Sequence, residues 1–351
     1  MLAQHYLVLV SNAAKLCGVE AFARLLTQKL GSRAKSHVLG GRLASLLKAV
    51  RGVDCVIFNF PIVAWKRRLF SPTITSLLVR IMGRNLTVVL HEWSALNWKR
   101  RLVLTPAVLL ATSLCFSAPE IGREFADSKV SRWATRRRKI IPIPPNIVPP
   151  ATGRDTPTSR ALNAQRETGR LIVGQFGSIY PRKQSTIVLH VAAHLIGQGH
   201  DVAVVFVGSF IKAMDGMEAK FFALADELGV RDRVTITGYV RGDDELSAIF
   251  SQVDVFCYDF KEGLTSRRGS VLTAALSGKP VVVNAPFEAD ALAHHGMFKR
   301  LISTEMIRLV PTDADIHSLA AAVLAAKAEV PAAFDVKAEI ETLWTAIIAG
   351  L

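Results

Sequence analysis

The sequence is poor in cysteine, in aromatics and, over its first 150 residues, in acid. Four cysteines in 351 residues, none in a CxxC pair, exclude a disulfide scaffold and a zinc ribbon. Cys17, Cys55, Cys115 and Cys257 are scattered, mostly within apolar runs, and read as buried thiols of a reducing cytosol. No stretch of roughly 18 apolar residues without charge is present, which excludes a transmembrane helix. The nearest, RLVLTPAVLLATSLCF, is too short and carries Pro106. The first residues, MLAQHYLVLVSN, lack a basic leader and read as a buried first strand rather than a signal peptide. The P-loop pattern GxxxxGK[ST], the dinucleotide fingerprint GxGxxG and the nucleophile pattern GxSxG are all missing. A chain that is 50% apolar is not disordered, and its length suits two domains with their own cores.

Charge is plentiful and unevenly placed. Lys and Arg outnumber Asp and Glu by 43 to 29, a net charge of +14. Residues 1–150 hold 23 basic and 6 acidic residues, whereas residues 151–351 hold 20 and 23. The whole excess therefore belongs to the first half, in the clusters Lys66-Arg67-Arg68, Lys99-Arg100-Arg101 and Arg136-Arg137-Arg138-Lys139. A solvated face explains any single cluster. Three clusters flanking apolar helical segments point to a polyanion or an anionic membrane surface, to which each basic residue adds about 1 kcal/mol. The clusters are not interleaved with aromatics, so nucleic acid is not the expected partner.

Short, continuously apolar runs alternate with helical stretches throughout, the mark of parallel sheets covered on both faces. In the first half, strands are expected at Tyr6–Val10, Ser36–Val38, Cys55–Asn59, Leu86–Leu90, Ser113–Ser117 and Lys139–Ile143. Those of the second half are expected at Leu171–Phe176, Val202–Val207, Val234–Thr237, Val253–Tyr258, Pro280–Asn284 and Ile307–Val310. Helices fall between them, and a last one runs from Val336 to Ile348. The pattern predicts an N-terminal basic domain over 1–150 and a Pro/Thr/Ser-rich linker over 151–169. A second domain follows over 170–335, and a C-terminal helix over 336–351 is expected to pack back on the first domain. The fold class is α/β, two doubly wound Rossmann-like domains facing across a cleft.

Four places have the composition of a site. GQFGSIYPRK, Gly174 to Lys183, leads from a strand to a helix near Ser185. There Gly177 and Ser178 allow a sharp turn, and Arg182 and Lys183 stand at the helix start, as at a phosphate site. The same pattern also suits a plain βα turn with solvent-facing basics. The second, from Lys261 to Pro280, sets Thr265, Ser266, Arg267, Arg268, Gly269 and Ser270 in a turn before a helix, a nest of donors suited to a diphosphate. The third is His91-Glu92, at the carboxyl end of a strand, where function collects. The fourth is Gly18-Val19-Glu20 after the first strand, with Ser11 and Asn12; Glu20 reads as an ordinary first-turn helix acid. His190 and His194 have metal spacing but no acidic third ligand nearby, and His294-His295 is equally weak as a metal site.

Taken in order, these residues resemble the GT-B glycosyltransferases, in particular the retaining family 4-like enzymes. The similarity is clearest from Arg170 to Ala326. It rests on Gly18-Val19-Glu20, on His91, on Ile143-Pro-Pro-Asn146, on Lys183 and on the run from Val234 to Phe256. One departure stands out. Many members carry two glutamates separated by seven residues before AxxxGxPVV. Here Thr265 and Thr273 take those positions, and Glu262 lies three residues early. A subset with the form GxxxRRGSxxxAxxxGxPVV shares the arrangement.

The resemblance implies a nucleotide-sugar donor in the C-terminal domain and transfer with retention. Lys183 with Arg268 or Arg267 would stabilise the leaving diphosphate, with no metal and no other cofactor. Gly18, Gly177, Ser178, Arg182, Gly269, Ser270 and Thr273 would line the nucleotide and diphosphate. Glu262, Thr265 and Ser266 would face the donor sugar, and His91 the transferred sugar. Arg67, Arg68, Lys99, Arg100 and Arg101 would serve a saccharide or lipid-diphosphate-linked saccharide acceptor at the cytoplasmic face of a membrane. A non-catalytic partner with a degenerate donor site is the alternative, supported by the missing glutamates.

Overall fold

A computed structural model describes residues 4–11, 17–62, 65, 70–180, 183–211, 216–329 and 334–351. It forms two compact units, Met1–Asn146 with Ile340–Leu351, and Ile147–Glu339.

The first unit is built on β1 (Tyr6–Val10), β2 (Ala34–Val38), β3 (Cys55–Phe60), β4 (Asn85–Leu90), β5 (Ser113–Phe116) and β6 (Arg138–Ile140). They pair in parallel in the order β2-β1-β3-β4-β5-β6. β1 and β3 are buried along their whole length, which is why their sequences are continuous apolar runs rather than alternating ones. Helices α1 (Gly18–Leu30), α2 (Leu43–Arg51), α3 (Ser71–Ile81), α4 (Trp98–Leu110) and α5 (Pro119–Ala126) lie between the strands in sequence.

The second unit opens with α6 (Pro157–Glu167). β7 (Leu171–Phe176), α7 (Ile187–Gly197), β8 (Val202–Val207), α8 (Met217–Glu227), β9 (Val234–Ile236) and α9 (Asp243–Ser251) follow. The chain continues through β10 (Val255–Tyr258), α10 (Gly269–Leu276), β11 (Val281–Asn284), α11 (Gly296–Ser303), β12 (Ile307–Val310) and α12 (Ile316–Ala328). Its parallel sheet has the order β12-β11-β10-β7-β8-β9, the doubly wound order 3-2-1-4-5-6 read from the other edge. The order reverses between β7 and β10, and the crevice at their carboxyl ends is the natural ligand site of this sheet.

The stretch 151–169 differs from its expectation as a linker, because α6 occupies most of it. Its prolines and hydroxyls are helix-start signals. Thr156 accepts from the Ser159 amide at 3.0 Å, Ser159 returns the bond by accepting from the Thr156 amide, and Pro157 takes the first helical position. Arg166 then pairs with Asp254 at 3.1 Å, and Asp254 also accepts from the Ile172 amide, so the helix is anchored to the second unit. The division falls after Asn146, four residues before the expected boundary. A further helix, α11, was not foreseen, and the three cysteines in strands are buried while Cys17 is only half-buried. No helix among the described residues is long and apolar enough to cross a membrane.

From Ile340 onward, α13 (Val336–Gly350) belongs to the first unit. Trp344 is buried and stacks on Phe22 with ring centroids 6.1 Å apart, Lys29 pairs with Glu341, and the Gly350 carbonyl accepts from the Cys115 thiol at 3.6 Å. This helix therefore completes the first unit's core. We expect Trp344→Ala to destabilise that unit by about 3–5 kcal/mol, read as a lower midpoint in urea unfolding followed by near-UV circular dichroism. An unchanged midpoint would show that α13 is a dispensable tail.

Candidate functional site

The switch point of the second sheet carries the densest polar constellation. β7 ends at Phe176, and the chain turns through Gly177 with φ +108°. β8 ends beside it, and a Cβ at Gly208 would stand 2.2 Å from the Gly177 carbonyl oxygen. A Cβ at Gly177 would stand 2.6 Å from Lys183 Nζ. Gly177 clears the space in which the Lys183 ammonium sits, and Gly208 lets β8 end against the Gly177 backbone.

Lys183 is 4% exposed. Its ammonium donates to the Phe176 carbonyl and lies 5.3 Å from the centroid of the Tyr258 ring. Among the described residues no carboxylate pairs with it. Burial, and second the neighbouring Arg268 guanidinium, push its pKa down to about 7. A cation held this way is costly unless an anion comes to it.

The loop after β10 supplies the second cation. Arg268 caps α10, stacks 4.2 Å over the Phe260 ring and pairs with Glu262, yet its Nε is buried and has no acceptor among the described residues. The hydroxyls of Thr265, Ser266 and Ser185 are likewise buried with no partner among the described residues. Tyr258 ties the two loops together, receiving the Phe176 amide at 3.0 Å and donating to the Ser270 carbonyl at 3.3 Å. Two cations and several unsatisfied donors at the carboxyl ends of β7 and β10 form a socket for an anion with many acceptor oxygens.

The remaining expected residues of this unit fall around that socket in different ways. Gly269 and Ser270 open α10, and Ser270 Cβ would lie 3.6 Å from a Cβ at Gly177. Ser178 and Arg267 are exposed. Thr273 is buried and donates its hydroxyl proton to the Ile147 carbonyl at 2.9 Å, so it keeps only acceptor lone pairs for a ligand. Arg182 lies outside the described residues.

Sequence reasoning missed two residues here. Gln184 has φ +46°, a left-handed conformation unusual for its type, and its amide donates to Asp259. Asp259 directly follows β10, and burial raises its pKa above the usual carboxylate range. Its place at a strand's carboxyl end was the available signal. No local pattern marks Gln184.

In the first unit, His91 follows β4 and is buried, its Nε2 3.4 Å from Asn59 Oδ1 and its ring edge-on to Phe22 at 5.3 Å. Glu20 lies in the first turn of α1 as expected, but it is buried. It is 1% exposed, accepts from the Ser11 amide and hydroxyl, and pairs with Arg24 at 2.7 Å, which locks the end of β1 to α1. Gly18 starts α1 close to Asn146, with a Cβ position 3.0 Å from Asn146 Nδ2. Lys99 is exposed beside Trp98, and Arg101 donates to the Leu96 carbonyl at 3.0 Å. Asn12, Lys66, Arg67 and Arg68 lie outside the described residues. Of the His190/His194 pair, His194 packs edge-on against His317 at 5.5 Å, and no group of three metal-ligating side chains occurs among the described residues.

A sequence search of curated proteins finds no match. Residues 170–327 match the family profile described as Glycosyl transferases group 1. Solved structures match nearly the full length. HepE of Anabaena in complex with UDP is 15% identical with a TM-score of 0.61, over 98% of this chain and 100% of that one. HepE in complex with UDP-glucose matches at 16% and 0.55, over 99% and 100%. WaaG, a glycosyltransferase involved in lipopolysaccharide biosynthesis, matches at 16% and 0.55, over 98% and 95%. The sucrose-phosphate synthase of Thermosynechococcus elongatus matches at 15% and 0.57, over 99% and 94%. At these identities the structural likeness is one of fold, and the socket at the β7/β10 switch point lies inside the matched segment. Residues 170–327, within the second unit, thus match the group 1 glycosyltransferase profile, and the chain has the GT-B fold.

Proposed function

We propose that this chain transfers a sugar, with retention of configuration, from a nucleotide-sugar to a saccharide or lipid-linked saccharide acceptor. The setting proposed is bacterial-type surface or exopolysaccharide synthesis at the cytoplasmic face of a membrane. One observation carries the reading. Lys183 is a buried cation with no carboxylate partner among the described residues, and it stands beside the unsatisfied Arg268 Nε at the ligand end of the sheet. A departing nucleoside diphosphate gains negative charge as the glycosidic bond breaks, and two fixed donors aimed at it stabilise that charge. Arg267, Gly177, Ser178, Arg182, Gly269 and Ser270 surround the diphosphate in this proposal. Thr265, Ser266 and Glu262 meet the sugar. His91 and the basic residues Arg67, Arg68, Lys99, Arg100 and Arg101 serve the acceptor side from the first unit. HepE is crystallised with UDP and with UDP-glucose, which makes these the first ligands to try.

Thr273 favours a second reading. Its one proton is spent on Ile147, so no acid and no free donor stands at the position of the second glutamate that the resemblance implies. A non-catalytic binder would retain nucleotide affinity and show no transfer to any acceptor.

Three outcomes follow from the catalytic reading. Lys183→Ala should cost transfer about 10²–10³-fold without lowering the melting temperature, and wild-type turnover would remove Lys183 from the reaction. The pH dependence has a defined sign. Lys183 titrates at about 7 in the free protein, and a bound diphosphate holds it protonated. UDP binding should therefore take up a proton above pH 7 and weaken with rising pH, by up to about tenfold per unit. Calorimetry in buffers of different ionisation enthalpy reads this directly, and no proton uptake at pH 8 would refute it. Transfer should survive EDTA, because Lys183 and Arg268 supply the positive charge. Complete inhibition reversed by magnesium would contradict this.

A further inference from the structure

The basic cluster Arg136-Arg137-Arg138-Lys139 has no part in the proposed reaction, and the fold places it at the end of the first sheet away from His91. Arg138 opens β6 and is consumed by the structure. Its guanidinium lies 5.2 Å from the centroid of the Phe125 ring and donates to the Thr135 carbonyl at 3.0 Å and the Ser131 carbonyl at 2.6 Å. The other three are exposed and make no ion pair among the described residues. Lys139 pairs in register with Cys115. Burial raises the Cys115 thiol to about 11, and the Lys139 charge beside it acts in the opposite sense.

These residues wall a cavity of about 390 Å³, within the usual size of a small-molecule site. Its other walls are the amino ends of neighbouring strands: Cys55 opening β3, Asn85 and Thr87 on β4, and Thr112 and Ser113 at the start of β5. Gln4 before β1 and Leu351 after α13 complete it, and every one of these residues belongs to the first unit. The sheet fixes this polar floor. Thr87 is buried with its Oγ1 3.4 Å from the Cys55 thiol, and the Thr112 hydroxyl bridges the Leu86 amide and carbonyl at 2.9 and 3.0 Å. No Asp or Glu lines the cavity. Asp54, next to its Cys55 wall, is held by the His5 amide at 2.8 Å.

Three cations within four residues repel one another, and no carboxylate of the cavity answers them. A merely solvated charge run needs neither a cavity nor a floor of hydroxyl and amide groups. A concave site with guanidinium forks and an ammonium on one wall and neutral polar groups below suits a small hydroxylated body that carries a phosphate. We infer that this cavity binds a sugar phosphate, with the phosphate on Arg136, Arg137 and Lys139 and the sugar hydroxyls on Gln4, Asn85 and Ser113. Asn85 and His91 stand at opposite ends of β4, about 20 Å apart at the rise of an extended strand. The inference therefore does not rest on the proposed reaction.

The test is titration calorimetry of the full chain at physiological salt with glucose 1-phosphate, glucose 6-phosphate and mannose 6-phosphate, and with inorganic phosphate and glucose as references. At least one sugar phosphate should bind at a single site, at least about tenfold tighter than inorganic phosphate, and glucose should not bind. The double variant Arg137→Gln, Lys139→Gln changes exposed side chains. It should keep its melting temperature and lose at least about tenfold in sugar-phosphate affinity. Asn85→Ala should weaken the sugar phosphate and leave inorganic phosphate unchanged. Lys183→Ala should bind the sugar phosphate as the wild-type chain does, because the donor socket is a different site. Failure of all three sugar phosphates to bind, equal affinity for inorganic phosphate, or unchanged binding in the double variant would overturn the inference. Loss of binding in Lys183→Ala would overturn it as well, by moving the ligand to the donor socket.

Discussion

A lysine ammonium in the interior of the second unit, without a carboxylate among the described residues, is the constraint around which that unit's ligand end is arranged. The Phe176 carbonyl and the Tyr258 ring partly replace the water of the Lys183 ammonium, whose pKa burial lowers to about 7. Both groups are placed by the sheet, since Phe176 ends β7 and Tyr258 ends β10, the two strands at which the order reverses. Gly177 and Gly208 have no side chains because any Cβ there would strike the ammonium or the chain beside it. Arg268, on the neighbouring loop, depresses Lys183 further instead of relieving it. The apo site is thus held in electrostatic tension, which a polyanion would release.

The two units use charge oppositely. In the second, acids balance the basic residues, and two of the latter, Lys183 and Arg268, are directed at one point. Several of its other basic residues are tied up in pairs such as Arg166 with Asp254 and Arg170 with Asp201. In the first, basic residues are numerous and acids scarce, and one of the acids, Glu20, is consumed inside the structure by Ser11 and Arg24. Part of the remaining positive charge, on Arg80, Lys99, Arg100 and Arg101, lies on α3 and α4 beside the exposed Ile81, Trp98 and Leu102. A focused field suits a small anionic donor, whereas a spread field over apolar relief suits an extended surface.

Much of the architecture was legible in the chain. Buried parallel strands are continuous apolar runs, so β1, β3, β7 and β8 declared themselves, and their alternation with helical stretches indicated two doubly wound sheets. Lys183 and Arg268 were legible as well, because cations beside glycine-rich turns at strand ends are unusual. The helix α6 was misread because proline and threonine signal both loops and helix starts. Only the reciprocal bonding of Thr156 and Ser159 distinguishes the two. Glu20 was misread because a first-turn acid looks the same whether water or Ser11 and Arg24 satisfy it.

By itself the sequence determined the fold class, the uneven charge and the two cationic turns, since each follows from local periodicity or composition. The tertiary structure alone decided which of those groups lack partners. It turned Thr75 and Ser76 inward and Phe70 and Ile81 outward, spent the Thr273 proton on Ile147, and brought Gln184 onto Asp259 across 75 residues of sequence. The physical reason is that hydrogen bonding and burial are settled between segments distant in the chain. A residue's type gives what it can donate or accept, and only the packed neighbours decide what it actually meets.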